Sequence, residues 1–199
     1  MRLGVMFCVA FVLIGFTNPL GRVFAEETNW FTLTSKEGNF SINFPSKPKE
    51  LSFDRQTIKG VIPYQMWTVE RPDRAFNLTY IDIPDITPDD GEKLVDSTFA
   101  SMAAERIGGK LLDEKDVKIG GHPGKEFTVE ATNLVAHCRI RAYMVGVRQF
   151  TVQVVGGRER DQKEDLIFLD SFRLLTNRPA SRVDAPIRKS PETPALERR

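Results

Sequence analysis

The sequence predicts an α+β domain: an antiparallel β-sheet flanked by helices. Three observations lead there. Short runs such as Phe40-Ile42-Phe44 and Phe76-Leu78-Tyr80 alternate apolar and polar residues, the period of a half-buried strand. Three such strands follow one another between Glu126 and Val155 with only short breaks, the pattern of a meander. One amphipathic helix, from Thr87 to Gly108, carries a single apolar stripe that must lie on a sheet.

Taken along the chain, Trp30 to Leu33 reads as a first short strand, and the turn Gly38-Asn39 leads into Phe40 to Phe44. Pro45 and Pro48 end that strand. Leu51 to Ile58 and Val61 to Glu70 flank Lys59-Gly60 and read as a hairpin. The helix begins at Thr87 as N-cap with Pro88 in the first helical position, and Asp89, Asp90 and Glu92 face its positive end. Val95, Phe99, Ala103 and Ile107 repeat every four residues, Leu94 and Met102 widen the stripe, and Gly108-Gly109 stops it. A strand from Leu111 to Ile119 enters a tight loop, Gly120 to Gly124. After the meander, a helix from about Arg158 to Leu169 and a last strand over Asp170 to Leu174 close the domain.

The meander predicts its own register, because residues opposed across an antiparallel pair share a face. A two-residue turn at Asn133-Leu134 sets Val129 against Cys138 and Phe127 against Ile140. On the other face it sets Glu130 against His137, Thr128 against Arg139 and Glu126 against Arg141. A three-residue turn at Gly146-Val147-Arg148 is expected to bring Met144 to Phe150 and Ala142 to Val152. Cys138 then belongs in the core.

The two ends differ from this. Arg2, an apolar run from Leu3 to Phe16, the break Asn18-Pro19, and Val23-Phe24-Ala25 before Glu26 stand in the order of a secretory signal. Cleavage is expected between Ala25 and Glu26. An uncleaved N-terminal anchor is the alternative, disfavoured because a bilayer span needs about 20 apolar residues. No later stretch is long and apolar enough to cross a membrane. From Thr176 onward the prolines and the lack of apolar pattern read as a disordered tail. That tail is either a solubilising end or a tether to an anionic surface. The expected organisation is a signal peptide over 1–25, one α+β domain over 26–175 and a Pro/Arg-rich tail over 176–199. The compartment implied is the periplasm or the extracellular medium.

Composition narrows the function classes. The chain has 28 basic and 27 acidic residues, so no strong field points to nucleic acid. Loss of Arg2 and Arg22 with the signal takes the formal charge from +1 to about −1. Of the 2 cysteines, Cys8 lies in the signal, which leaves Cys138 with no internal disulfide partner.

No catalytic constellation, cofactor motif or metal-ligand set is legible. A buried Cys138 behaves as a small hydrophobe, since reactive thiols need exposure and a lowered pKa. His122 sits in the glycine-rich loop without the three or four ligands that zinc requires. Asp82, Asp85, Asp89 and Asp90 cluster in sequence but lack calcium-loop spacing. Gly120-Gly121 and Gly156-Gly157 lack the lysine and hydroxyl of a phosphate loop, and no nucleophile elbow is present. Asn39-Phe40-Ser41 and Asn77-Leu78-Thr79 are formal glycosylation sequons placed in predicted strands. The one candidate interaction face is the basic stripe His137, Arg139 and Arg141, which would meet an anion or an acidic partner unless Glu126 and Glu130 neutralise it across the strands.

Gly38-x-Phe40-Ser41-x-x-Phe44-Pro45 is similar to the opening of exported bacterial domains related in fold to the photosystem II extrinsic subunit PsbP. Arg141-x-Tyr143-x-Val145-x-x-Arg148-x-Phe150, a polar helix and then Ser171-Phe172 extend the resemblance over most of residues 30–175. The resemblance implies a PsbP-like α-β-α sandwich and a non-enzymatic assembly or binding role, with no active site to carry over. The expected function is therefore an extracytoplasmic, non-catalytic module whose partner is an envelope protein. The alternative is a small apolar-ligand carrier with a pocket lined by Phe99, Met102 and Phe150, and a hydrolase is the least favoured class.

Overall fold

A computed structural model describes residues 30–57, 60–95, 99–131, 136–156 and 163–175. The expected signal peptide with its Ala25–Glu26 cleavage point, the tail over 176–199 and the side chain of Met102 lie outside them. The described chain runs β1 (Phe31–Ser35), β2 (Phe40–Phe44), β3 (Lys49–Thr57), β4 (Gly60–Glu70), β5 (Arg74–Asp82), α1 (Pro88–Lys93), α2 (Phe99–Ile107), β6 (Gly109–Ile119), β7 (His122–Ala131), β8 (Ala136–Val145), β9 (Arg148–Gly156), α3 (Lys163–Ser171) and β10 (Arg173–Leu174).

Seven strands form one sheet in the order β3-β4-β5-β9-β8-β7-β6, with every pairing antiparallel. The other three form a small antiparallel sheet, β1-β2-β10. Helices α1 and α2 pack on one face of the large sheet, over β6, β7 and β8. The small sheet and α3 cover the opposite face. Both edge strands of the large sheet are rich in charge, with Lys49, Glu50, Asp54 and Arg55 on β3 and Asp113 to Asp116 on β6, which discourages edge-to-edge association.

Each face has its own core. Under the helices, Phe127, Val129, Cys138 and Ile140 are fully buried with Phe99, Ala100 and Ala103 of α2. Under the small sheet the core is aromatic. Phe40 meets Trp67 at 5.3 Å, Phe172 at 5.9 Å and Phe150 at 6.0 Å between ring centroids, and Phe168 meets Phe44 at 5.0 Å and Phe76 at 5.3 Å. The Ser171-Phe172 pair joins two layers. Ser171 Oγ accepts from Asn43 N at 2.9 Å, and Phe172 enters the aromatic core.

The β7–β8 register is as the alternation predicts. Val129 opposes Cys138, Phe127 opposes Ile140 and Glu126 opposes Arg141, while the predicted turn at Asn133-Leu134 falls outside the described residues.

The β8–β9 register is not. Val145 pairs with Arg148 across a two-residue turn, Gly146-Val147, so Tyr143 meets Phe150 and Met144 meets Gln149. Gly146 has φ 64°, a conformation that glycine adopts without strain and that suits the first position of a tight hairpin. The one-residue shift sends Phe150, Val152 and Val154 to the small-sheet face. The prediction assumed one apolar face, but the sheet is covered on both sides, so the apolar residues of β9 need not join those of β8.

The expected single helix is two. Thr87 caps α1 as predicted and forms a capping box with Asp90: Asp90 N donates to Thr87 Oγ1 at 3.2 Å. The second helix begins only at Phe99, with 96–98 outside the described residues. Gly91 of α1 lies so close to the Gly146 carbonyl that a Cβ would collide with it, whereas α2 rests on β6 and β7. The two segments thus seat on different strands, and one helical stripe covers neither seat alone.

Smaller differences have local causes. His122 already pairs with Ile119, so the glycine-rich loop is only the turn Gly120-Gly121, and Pro123 and Gly124 lie in β7. Gly60 pairs with Thr57 and is the first residue of β4 rather than part of the turn. Asp170 and Ser171 finish α3, which leaves β10 only Arg173 and Leu174.

Candidate functional site

The basic stripe lies on β8, on the small-sheet face, and its charges are engaged internally. Arg139 Nη2 donates to Glu126 Oε1 at 2.7 Å, and Arg141 Nε donates to Glu126 Oε2 at 2.5 Å. Arg141 also meets Asp170 of α3 at 2.7 Å, and Lys115 of β6 reaches Glu126 at 3.2 Å. Register alone pairs Glu126 with Arg141 and Thr128 with Arg139, but both guanidinium groups lean toward the one buried carboxylate. Burial by itself would raise the Glu126 carboxyl, yet the hydrogen bonds from Arg139 and Arg141 prevail and bring it down to about 2. His137 opposes Glu130, and its Nδ1 is buried without a hydrogen-bond partner. The arrangement is a carboxylate clamp that ties β6, β7, β8 and α3 together, and Arg139 and Arg141 are mostly shielded, at 19% and 14% side-chain exposure.

The other predicted candidates are also placed. Cys138 is fully buried in the helix-side core, and burial pushes its thiol up to about 12, far from the thiolate a nucleophile needs. His122 Nδ1 lies 3.6 Å from Glu92 Oε1 of α1. Asp82 receives Arg148 through both oxygens at 2.6 and 2.7 Å, and that guanidinium stacks 4.3 Å above the Tyr80 ring. Asp90 belongs to the helix cap. Among the described residues, no group of three or more His, Cys, Asp or Glu side chains could hold a metal ion.

The apolar pocket of Phe99, Met102 and Phe150 is not formed. Phe99 is in the helix-side core and Phe150 in the aromatic core across the sheet, a consequence of the β8–β9 shift.

That same shift builds a feature the alternation did not single out. With the apolar residues of β5 and β9 facing the small sheet, their alternate positions face the helix side, and these are polar. Thr68, Asn77 and Gln153 form one row across β4, β5 and β9, Thr79 and Thr151 form the next, and Gln149 follows beside Ile81. All six are under 10% exposed, Gln149 and Gln153 at 2% and 4%. None carries a formal charge. Among the described residues the one hydrogen bond joining these side chains is long, Gln149 Nε2 donating to Thr151 Oγ1 at 3.4 Å. Gln149 Oε1 is buried with no partner. A buried polar group left unpaired costs about 1–3 kcal/mol, which makes the Gln149 end of this floor a candidate binding site. A sequence signal exists in retrospect. The alternate positions of β5 and β9 are amides and hydroxyls, whereas those of the solvated edge strand β6 are lysines and acids. The sequon Asn77-Leu78-Thr79 lies in this floor, where Asn77 is only 9% exposed.

No protein-family model matches the chain, and no curated relative does. Among solved structures, the chain is similar to the solution structure of cyanobacterial PsbP (CyanoP) from Synechocystis sp. PCC 6803. The two are 13% identical, with a TM-score of 0.46, over 79% of this chain and 99% of that one.

Proposed function

We propose that this protein is a non-catalytic binding module that acts outside the cytoplasm and holds its ligand on the polar floor of β4, β5 and β9. The observation that carries the reading is the buried, uncharged floor with the unpartnered Gln149 carbonyl at its end. A non-catalytic role accords with the placement of the reactive groups: Cys138 is sealed in the core, and the Glu126 carboxylate is held between two arginines. Export rests on the signal-like N-terminus, and no helix among the described residues is long and apolar enough to cross a membrane.

Native mass spectrometry of the protein purified from its own host tests the floor. The expected spectrum shows an adduct that is lost on denaturation and absent from Gln149→Leu. A wild-type protein that is wholly free of adducts, and takes up none when returned to host extract, would overturn the reading. An envelope protein as partner is the second part of the proposal. The charges of the Arg139–Arg141 stripe face Glu126 and Asp170, which argues for a partner site elsewhere on the surface. Crosslinking in the host is expected to capture one dominant envelope protein, and capture of none would remove that part.

A further inference from the structure

We infer that the ligand of the polar floor is a neutral molecule rich in hydroxyl groups, of the carbohydrate or polyol class; this rests on the floor being a binding site. The first argument is charge. The six floor residues are Thr, Asn and Gln, which offer hydrogen bonds without a countercharge. The cations in the same rows stand at their two ends: Lys49 opposes Thr68 on the edge strand β3, and Lys125 opposes Ala142 and is held by Asp116 at 2.7 Å and Glu114 at 3.6 Å. An anion seated at the Gln149 end would lie two rows away from Lys49 and would lose its water without a charged partner beside it, and a metal ion or ammonium group would find no carboxylate among the six floor residues.

The second argument is hydrogen-bond type. Side-chain amides and hydroxyls each supply donors and acceptors, and the hydroxyls of a sugar do the same. The buried Gln149 Oε1 can only accept, so it specifies a donor from the ligand at that end.

The third argument is the margin. Toward the β3 edge the Thr79–Thr151 row runs into Met66 and Leu51 and the Thr68 row into Lys49, while one row further Phe53 stacks on Tyr64 at 5.2 Å with 13° between the ring planes. Phe53 is one of the few large apolar side chains left partly exposed. A hydroxyl-rich rim over the floor and C–H surface against that margin is the amphipathic layout of a sugar ring. An apolar ligand would offer these amides and hydroxyls no hydrogen bonds and would leave Gln149 Oε1 unpaired, so the polar class is favoured.

The test is an amide-resolved NMR titration of the full chain with glucose, N-acetylglucosamine, trehalose and glycerol. Glucose 6-phosphate and glucosamine serve as charged counterparts, and octanoate as the apolar probe. A neutral probe is expected to shift the amides of β5 and β9. Gln149→Met is expected to weaken its binding roughly tenfold, the effect of one lost hydrogen bond. Thr79→Val serves as a second, near-isosteric variant where Gln149→Met does not fold, and it is expected to weaken the same probe. A charged or apolar probe that shifts these amides more tightly than every neutral one overturns the inferred class while leaving the floor as a binding site. If no probe of any class moves them, the inference and the reading beneath it both fall.

Discussion

The two faces of β5 and β9 are made from alternate residues of the same two strands, yet they are different materials. Toward the small sheet they present Phe76, Leu78, Tyr80, Phe150, Val152 and Val154, all buried and in an aromatic core. Toward the helix side they present Asn77, Thr79, Gln149, Thr151 and Gln153, buried to a similar depth but with hydrogen-bonding capacity left over. Burial alone therefore does not identify what a face is for. The aromatic face obtains its free energy from apolar area and ring packing, whereas the polar face contributes little unless its groups find partners.

Mutations should separate the two faces sharply. Phe76→Ala is expected to destabilise the fold by about 3–5 kcal/mol, because its ring is fully buried against Phe168 and the site cannot collapse; urea unfolding measures it. A loss below about 1 kcal/mol would mean that the aromatic face is not the stabilising one. Glu126→Gln comes next, at about 2–3 kcal/mol, since it leaves Arg139 and Arg141 facing a neutral group in a shielded site.

The same carboxylate gives a pH dependence. Its folded-state pKa, about 2, lies below the ordinary value of 4.5, so the clamp stabilises fully above pH 4.5. That contribution is lost as pH falls from 4.5 toward about 2, and acid unfolding of Glu126→Gln should be correspondingly less steep in that window. The smallest effect is expected on the polar face. Thr151→Val should change stability by no more than about 1 kcal/mol in either direction while altering what the floor binds. A large loss of stability there would show that the row is structural and would narrow the contrast between the faces.

Much of the fold was legible because alternation is a local property. The β7–β8 register, the burial of Cys138 and the Thr87 cap all follow from which side of a strand or which end of a helix a residue occupies. The β8–β9 register was not legible in the same way. Both faces of β9 are buried, so two turn lengths satisfy its pattern equally well, and only the second layer distinguishes them. The split between α1 and α2 has a similar origin, for the apolar stripe does not say that its two halves rest on different strands. The candidate site fared worst, and for a simple reason. Amides and hydroxyls alternating with apolar residues read as a solvated strand face until both faces of the strand are known to be buried.

The sequence by itself determined the α+β class, the order of the strands, the residues of the helix-side core on β7 and β8, and the absence of familiar catalytic motifs, because each depends on neighbours within one or two elements. Tertiary structure alone decided that Phe150 and Phe99 sit on opposite sides of the sheet, that one carboxylate gathers Arg139, Arg141 and Lys115, and that six uncharged polar residues meet at the sheet centre. Those outcomes depend on which layer covers which face, a choice made by the packing of segments far apart in the chain.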